Sequence, residues 1–165
     1  MRTLHPVWAF AMALGVSGLA QPVKAQEAKR LFFEGDIVAH ALEGQAGPFC
    51  VLKNQYKRNE AVAWRIRVLD QTSAVADEKV LKSVVVVLGN GQQIPTKYGP
   101  HPPRGEATDH FWSAFWTIPA DFPTGSLGYK VVATWMDGTS QTWQPFTREP
   151  TQLTVVAGEP AMKSN

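Results

Sequence analysis

The 165-residue chain has one cysteine, Cys50, so no intrachain disulfide can staple it and the core must hold by packing alone. With Phe49 and Val51 on either side, that thiol is expected to be buried and inert, as free cysteines usually are. Histidine is scarce as well: beyond the first residues there are only His40, His101 and His110. No Gly-x-Ser-x-Gly, His-Glu-x-x-His or phosphate-cradling glycine loop occurs, so no catalytic constellation is expected. Long apolar runs are missing too. The longest, Val7 to Ala20, is shorter than the roughly 20 residues of a membrane-spanning helix, so no membrane span is expected.

That apolar run has the layout of an export signal. Arg2 precedes it, and Val23-Lys24-Ala25 meets the small-x-small requirement for cleavage after Ala25, with Gly18-Leu19-Ala20 as a second option. Residues 1–25 are therefore read as a signal peptide, which places the mature protein in the periplasm or outside a bacterial cell. Its removal takes away Arg2 and Lys24 but no acid, so the 16 Lys and Arg fall to 14 and equal the 14 Asp and Glu. A chain without net positive charge has no electrostatic hold on phosphate, which argues against nucleic acid as a partner. The remaining length, about 140 residues, suits one domain with one core.

Proline and glycine punctuate this remainder, and period-two alternation dominates it. In Ala61 to Leu69, Val62, Trp64, Ile66 and Val68 point one way and Arg65 and Arg67 the other. Arg65 is expected to lie outward and to cost under about 0.5 kcal/mol on truncation. Asn90-Gly91 and Asp137-Gly138 are hairpin signals, the first between Val84 to Leu88 and Gln92 to Tyr98. The unbroken run Val84 to Val87 predicts a strand covered on both faces or lying beside another chain. Phe111 to Ile118, Leu127 to Trp135, Ser140 to Phe146 and Gln152 to Val156 read as further strands, and one around Asp36 to Leu42 opens the domain. Val75 to Leu81 leaves room for one short helical turn. The expectation is an all-β, antiparallel sandwich of seven to nine strands over 26–157, without a disulfide, followed by a flexible tail over 158–165.

Certain of these residues resemble a known family. Pro119-Ala120-Asp121 after a strand, Gly128-Tyr129-Lys130-Val131 opening the next and Asp137-Gly138 turning it are similar to the closing strands of bacterial immunoglobulin-like and fibronectin type III-like domains. Asn59-Glu60 leading through Trp64 to Asp70 resembles their second strand. The resemblance spans Glu60 to Val156 and implies an immunoglobulin-like sandwich. It departs from antibody-type domains at Val131, which stands where the second cysteine of an inter-sheet pair would be. A sandwich of this kind implies no particular activity.

The most distinctive segment runs from Tyr98 to Trp112 and is read as a loop joining two strands. Pro100, Pro102 and Pro103 stiffen it, Arg104 offers a planar hydrogen-bonding fork, and Tyr98 and Trp112 are residue types common at binding hot spots. Tyr98, Pro100, His101, Pro102, Pro103, Arg104 and Trp112 are thus candidates for contact with another exported protein, the chain acting as a non-enzymatic interaction module or accessory subunit. The alternative takes His101 and His110 as ligands for copper or zinc, with Asp109 or Glu106 as oxygen donors and Cys50, His40 or Met136 as further ligands, in a metal-binding or redox accessory role. His40 alternates with Val38 and Leu42 and is expected to be half-buried. Among the tryptophans only Trp143 stands in a polar run, so a sugar-stacking role has little support beyond it. The exported protein is expected to begin at Gln26, or at Gln21 if the earlier site is cut; intact-mass measurement checks this, and retention of Met1 contradicts it.

Overall fold

The computed structural model describes residues 29–40, 50–102, 105–145 and 153–157, and within them the chain is all-β. Residues 1–25, read as a signal peptide, and residues 158–165, read as a tail, lie outside the described residues. Eleven strands are formed: β1 (Phe32–His40), β2 (Gln55–Lys57), β3 (Ala61–Leu69), β4 (Leu81–Leu88), β5 (Gln93–Pro95), β6 (Lys97–His101), β7 (Asp109–Thr117), β8 (Gly125–Leu127), β9 (Tyr129–Trp135), β10 (Ser140–Trp143) and β11 (Leu153–Val156). The hairpin signals act where expected. Gly91 takes φ 87° and donates to the Leu88 carbonyl at 2.8 Å. Gly138 takes φ 86°, while the Asp137 carboxylate accepts from both the amide and the hydroxyl of Thr139. Between Val75 and Leu81 the Asp77 carbonyl accepts from the amides of Val80 and Leu81, a single tight turn.

Two four-stranded antiparallel sheets, ordered β1-β3-β7-β6 and β10-β9-β4-β5, face each other, and a three-stranded sheet β2-β11-β8 flanks them. Two expected strands are each broken at a change of sheet and β2 is a further, unexpected strand, so the described residues hold eleven strands where seven to nine were expected. Gln92 to Tyr98 divides at Thr96, whose amide and hydroxyl both donate to Val84 O, so that β5 pairs with β4 while β6 crosses to β7. Leu127 to Trp135 divides at Gly128. Its carbonyl accepts from Gly89 N at 2.7 Å, and a Cβ on Gly89 would lie 3.1 Å from that oxygen, so any side chain at 89 would crowd this contact.

The inward faces of the two large sheets form one cluster. Val62, Trp64, Ile66 and Val68 of β3 meet Val84, Val86 and Leu88 of β4 and Val131 and Ala133 of β9. Trp64, 1% exposed, lies 6.5 Å from the Trp116 ring within its own sheet and edge-on at 5.9 Å to Tyr129 of the facing one. The valine run of β4 follows from its central place between β9 and β5. Val84 and Val86 fill the core, whereas Val85 and Val87 are only half-buried on the outer face.

Three expectations change. The first strand starts at Phe32 rather than Asp36, and Leu42 lies outside the described residues. Cys50 is half-buried rather than buried, because it sits at φ 56° in a bend where its amide donates to Ala39 O at 2.9 Å. Arg65 is outward but not idle: it makes two hydrogen bonds, of 2.9 and 2.5 Å, to the Asp36 carboxylate opposite it. Trp64→Ala is therefore expected to cost about 3–5 kcal/mol by emptying the centre of the core, and Arg65→Ala about 1 kcal/mol, a charge-assisted pair discounted for partial solvent exposure. Denaturant unfolding of both variants measures this, and equal losses would contradict the strand register.

Candidate functional site

The segment expected to be one long loop is mostly a paired ribbon. Residues Lys97 to His101 align against Ser113 to Asp109 one for one, leaving only 102–108 as the connection. Proline is tolerated in β6 because this is an edge strand, where a missing N–H need not break a ladder. The connection is closed at its base by Thr108, whose amide and hydroxyl donate to the His101 carbonyl at 3.0 and 3.2 Å. The His101-Pro102 peptide is cis. Pro100, Pro102, Gly105 to Thr108 and His110 are exposed, while Pro103 and Arg104 lie outside the described residues.

Directly opposed residues of an antiparallel pair share a face, and neighbours along a strand do not. Tyr98, Trp112 and His110 therefore point toward the core side, and His101, Asp109 and Phe111 toward the outside. Trp112 is 5% exposed and its indole N–H donates to Ala76 O at 3.0 Å, so it is a core residue and not part of a contact surface. Tyr98 is half-buried, 5.2 Å from the Trp112 ring and stacked at 5.8 Å on His110. Burial, with the nearby charges of Asp77 and Glu78, raises its phenol above the usual value.

The same rule separates the two histidines proposed as metal ligands. His110 rests on Tyr98 on one face, and His101 meets the Phe111 ring at 5.6 Å on the other. They do not converge, and among the described residues no group of three His, Cys, Asp or Glu side chains could hold a metal ion. Asp109 is ion-paired with Arg67, and Glu106 is in the exposed connection. His40 is half-buried as expected, 4.6 Å from the Phe115 ring, and burial lowers its pKa.

What the alternation alone did not expose is the platform beneath the ribbon. Arg67 bridges Glu34, at 3.2 Å, and Asp109, tying β1 to β7 across β3. Arg65 pairs with Asp36 in the next row. Both guanidinium groups lie over the Phe111 ring, at 5.8 and 5.4 Å, a cation–π arrangement that fixes the ring on which His101 rests. The signal was present in Glu34-Gly35-Asp36 set against Arg65-Ile66-Arg67, acids and bases in matching alternation, once the first strand is extended back to Phe32.

No known family model and no curated protein matches the chain. The reading of the ribbon thus rests on its geometry: a tip bearing exposed prolines, held on a base of opposed charges. Since the two imidazoles face opposite ways, His101→Ala/His110→Ala is expected to bind Zn(II) or Cu(II) no differently from the unaltered protein. Isothermal calorimetry on tag-free protein measures it, and loss of sub-micromolar binding in the double variant would show that the histidines do converge.

Proposed function

We propose that the protein is an exported, non-enzymatic interaction module of the immunoglobulin-like type, an accessory subunit that engages another exported protein through the β6–β7 tip. The observation that carries this reading is the braced base beneath an exposed tip. Thr108 clamps its base, the prolines narrow its backbone freedom, and the Arg67–Asp109 pair ties its second strand to the sheet. A segment ordered before binding loses less conformational entropy on binding.

The mode of contact follows from the prolines. Pro95 in β5 and Pro100 in β6 stand on the edge strands of the two large sheets, and a residue without N–H cannot donate to an added strand. Recognition on this flank therefore uses side chains of the tip rather than strand addition, with Pro100, His101 and Pro102 at its described part. Pro103 and Arg104 belong to the same tip by sequence.

Replacing 102–106 by a Gly/Ser stretch is expected to leave the thermal midpoint within a degree or two, because the described residues among them, Pro102, Gly105 and Glu106, are exposed, and to weaken capture of the exported partner at least tenfold. Cross-linking in cells that secrete the tagged protein, followed by affinity measurement with the purified partner, tests both halves. Capture that survives while stability falls would make the tip a structural clamp.

A further inference from the structure

On the flank opposite the β6–β7 ribbon, where β1 and β10 form the other edges of the two large sheets, a cavity of about 530 Å³ opens between Gly35 to Ile37, Leu52 to Asn54, Tyr129 and Trp143 to Pro145. Its volume falls inside the roughly 300–1,000 Å³ range of small-molecule sites, and its walls combine aromatic and apolar surface with a few polar groups, as such sites do. We propose that this cavity is a binding site for a short neutral saccharide.

The aromatic wall is fixed in advance. Trp143 stacks on Phe33 with ring centroids 6.0 Å apart and planes 7° from parallel, and it lies over Gly35, where a Cβ would already stand 3.5 Å from the indole ring. Any larger side chain at 35 would push the indole away. Tyr129, held edge-on against Trp64, forms the inner wall. Burial, with the charge of Asp36, lifts its phenol to about 12, so it stays a neutral hydroxyl at ordinary pH.

The charges choose between ligand classes. Asp36 points to the outer face, where Arg65 holds it, and Lys53 is paired with Glu60 at 2.6 Å, so neither demands a counter-charge from a ligand. A charged guest would have to compete with these pairs. A wholly apolar guest would strip water from Lys53 and Gln144 without replacing its hydrogen bonds, which is costly. A sugar ring meets both demands: its C–H face lies on an aromatic wall, and its hydroxyls hydrogen-bond with Gln144 and Lys53. This site shares no residue with the β6–β7 tip, so either assignment can fail without the other.

The test is a 15N-resolved NMR titration of the full mature chain with maltotriose, cellotriose and N,N′,N″-triacetylchitotriose, each to about 10 mM, a range that detects affinities near the weak end of specific binding. At least one is expected to shift the Gly35 amide, the Trp143 indole and the side-chain amides of Asn54 and Gln144. Trp143→Ala is expected to weaken that binding at least tenfold, whereas Phe115→Ala, an exposed aromatic on the outer face of the β1-β3-β7-β6 sheet, leaves it unchanged. Should Trp143→Ala not fold, Gln144→Ala at the rim carries the test, with a loss of at least threefold. Silence toward all three sugars, binding that survives the wall and rim substitutions, or shifts produced by indole but by none of the sugars would each overturn the assignment.

Discussion

Everything else in this domain leans on the contact of Trp64 with Tyr129 across the two large sheets. With a single cysteine in the chain, no covalent bond can join the layers, and the sandwich closes because the inward faces of β3, β4, β7 and β9 exclude water together. Trp64 stands at the middle of that contact and also touches Trp116 beside it. The arrangement has a cost: the Trp64 indole nitrogen and the Tyr56 hydroxyl are both buried without a hydrogen-bond partner among the described residues. An unmet buried donor costs about 1–3 kcal/mol, comparable to what burial of one large side chain gains, so these rings stay for their volume rather than for their polar ends.

The two flanks of the sandwich are closed by different means. On one, the chain itself passes from β5 to β6 at Thr96, so the sheets are joined by backbone. On the other, Gln141 of β10 grips the backbone just before β1, accepting from Leu31 N and donating to Leu31 O, both at 2.8 Å. One amide side chain thus imitates a strand pairing between sheets that share no ladder there. The closure leaves room lower on the same flank, where Gly35 and Trp143 line the cavity.

Much of this was legible in the residues. Alternation marked the inward set of β3, β7 and β9, and Asn-Gly and Asp-Gly located two hairpins, because periodicity and turn chemistry are local properties. Which sheet a strand joins is not local. Nothing in Gln92 to Tyr98 or Leu127 to Trp135 announces that Thr96 and Gly128 hand the chain to another partner, since a strand keeps its alternation whichever neighbour it pairs with. The prolines between Tyr98 and Trp112 suggested a loop for a related reason: proline speaks against a central strand but is silent about an edge. The candidate contact residues shrank accordingly once Trp112 proved to be core. The cavity was the least legible, for it is made by segments far apart in sequence, and only the polar setting of Trp143 hinted at it.

The small sheet sets the order in which the domain can be completed. β11 lies between β2 and β8, parallel to the first and antiparallel to the second, with Val155 opposite both Tyr56 and Gly125. Until Leu153 to Val156 dock, β2 has no partner strand among the described residues and the fully buried Tyr56 ring lacks its neighbour. Pairings between such distant segments form slowly, since a long loop must close before any bond rewards it. Neither large sheet contains any of these three strands, so the two layers can meet first while the small sheet waits for β11 to dock between β2 and β8.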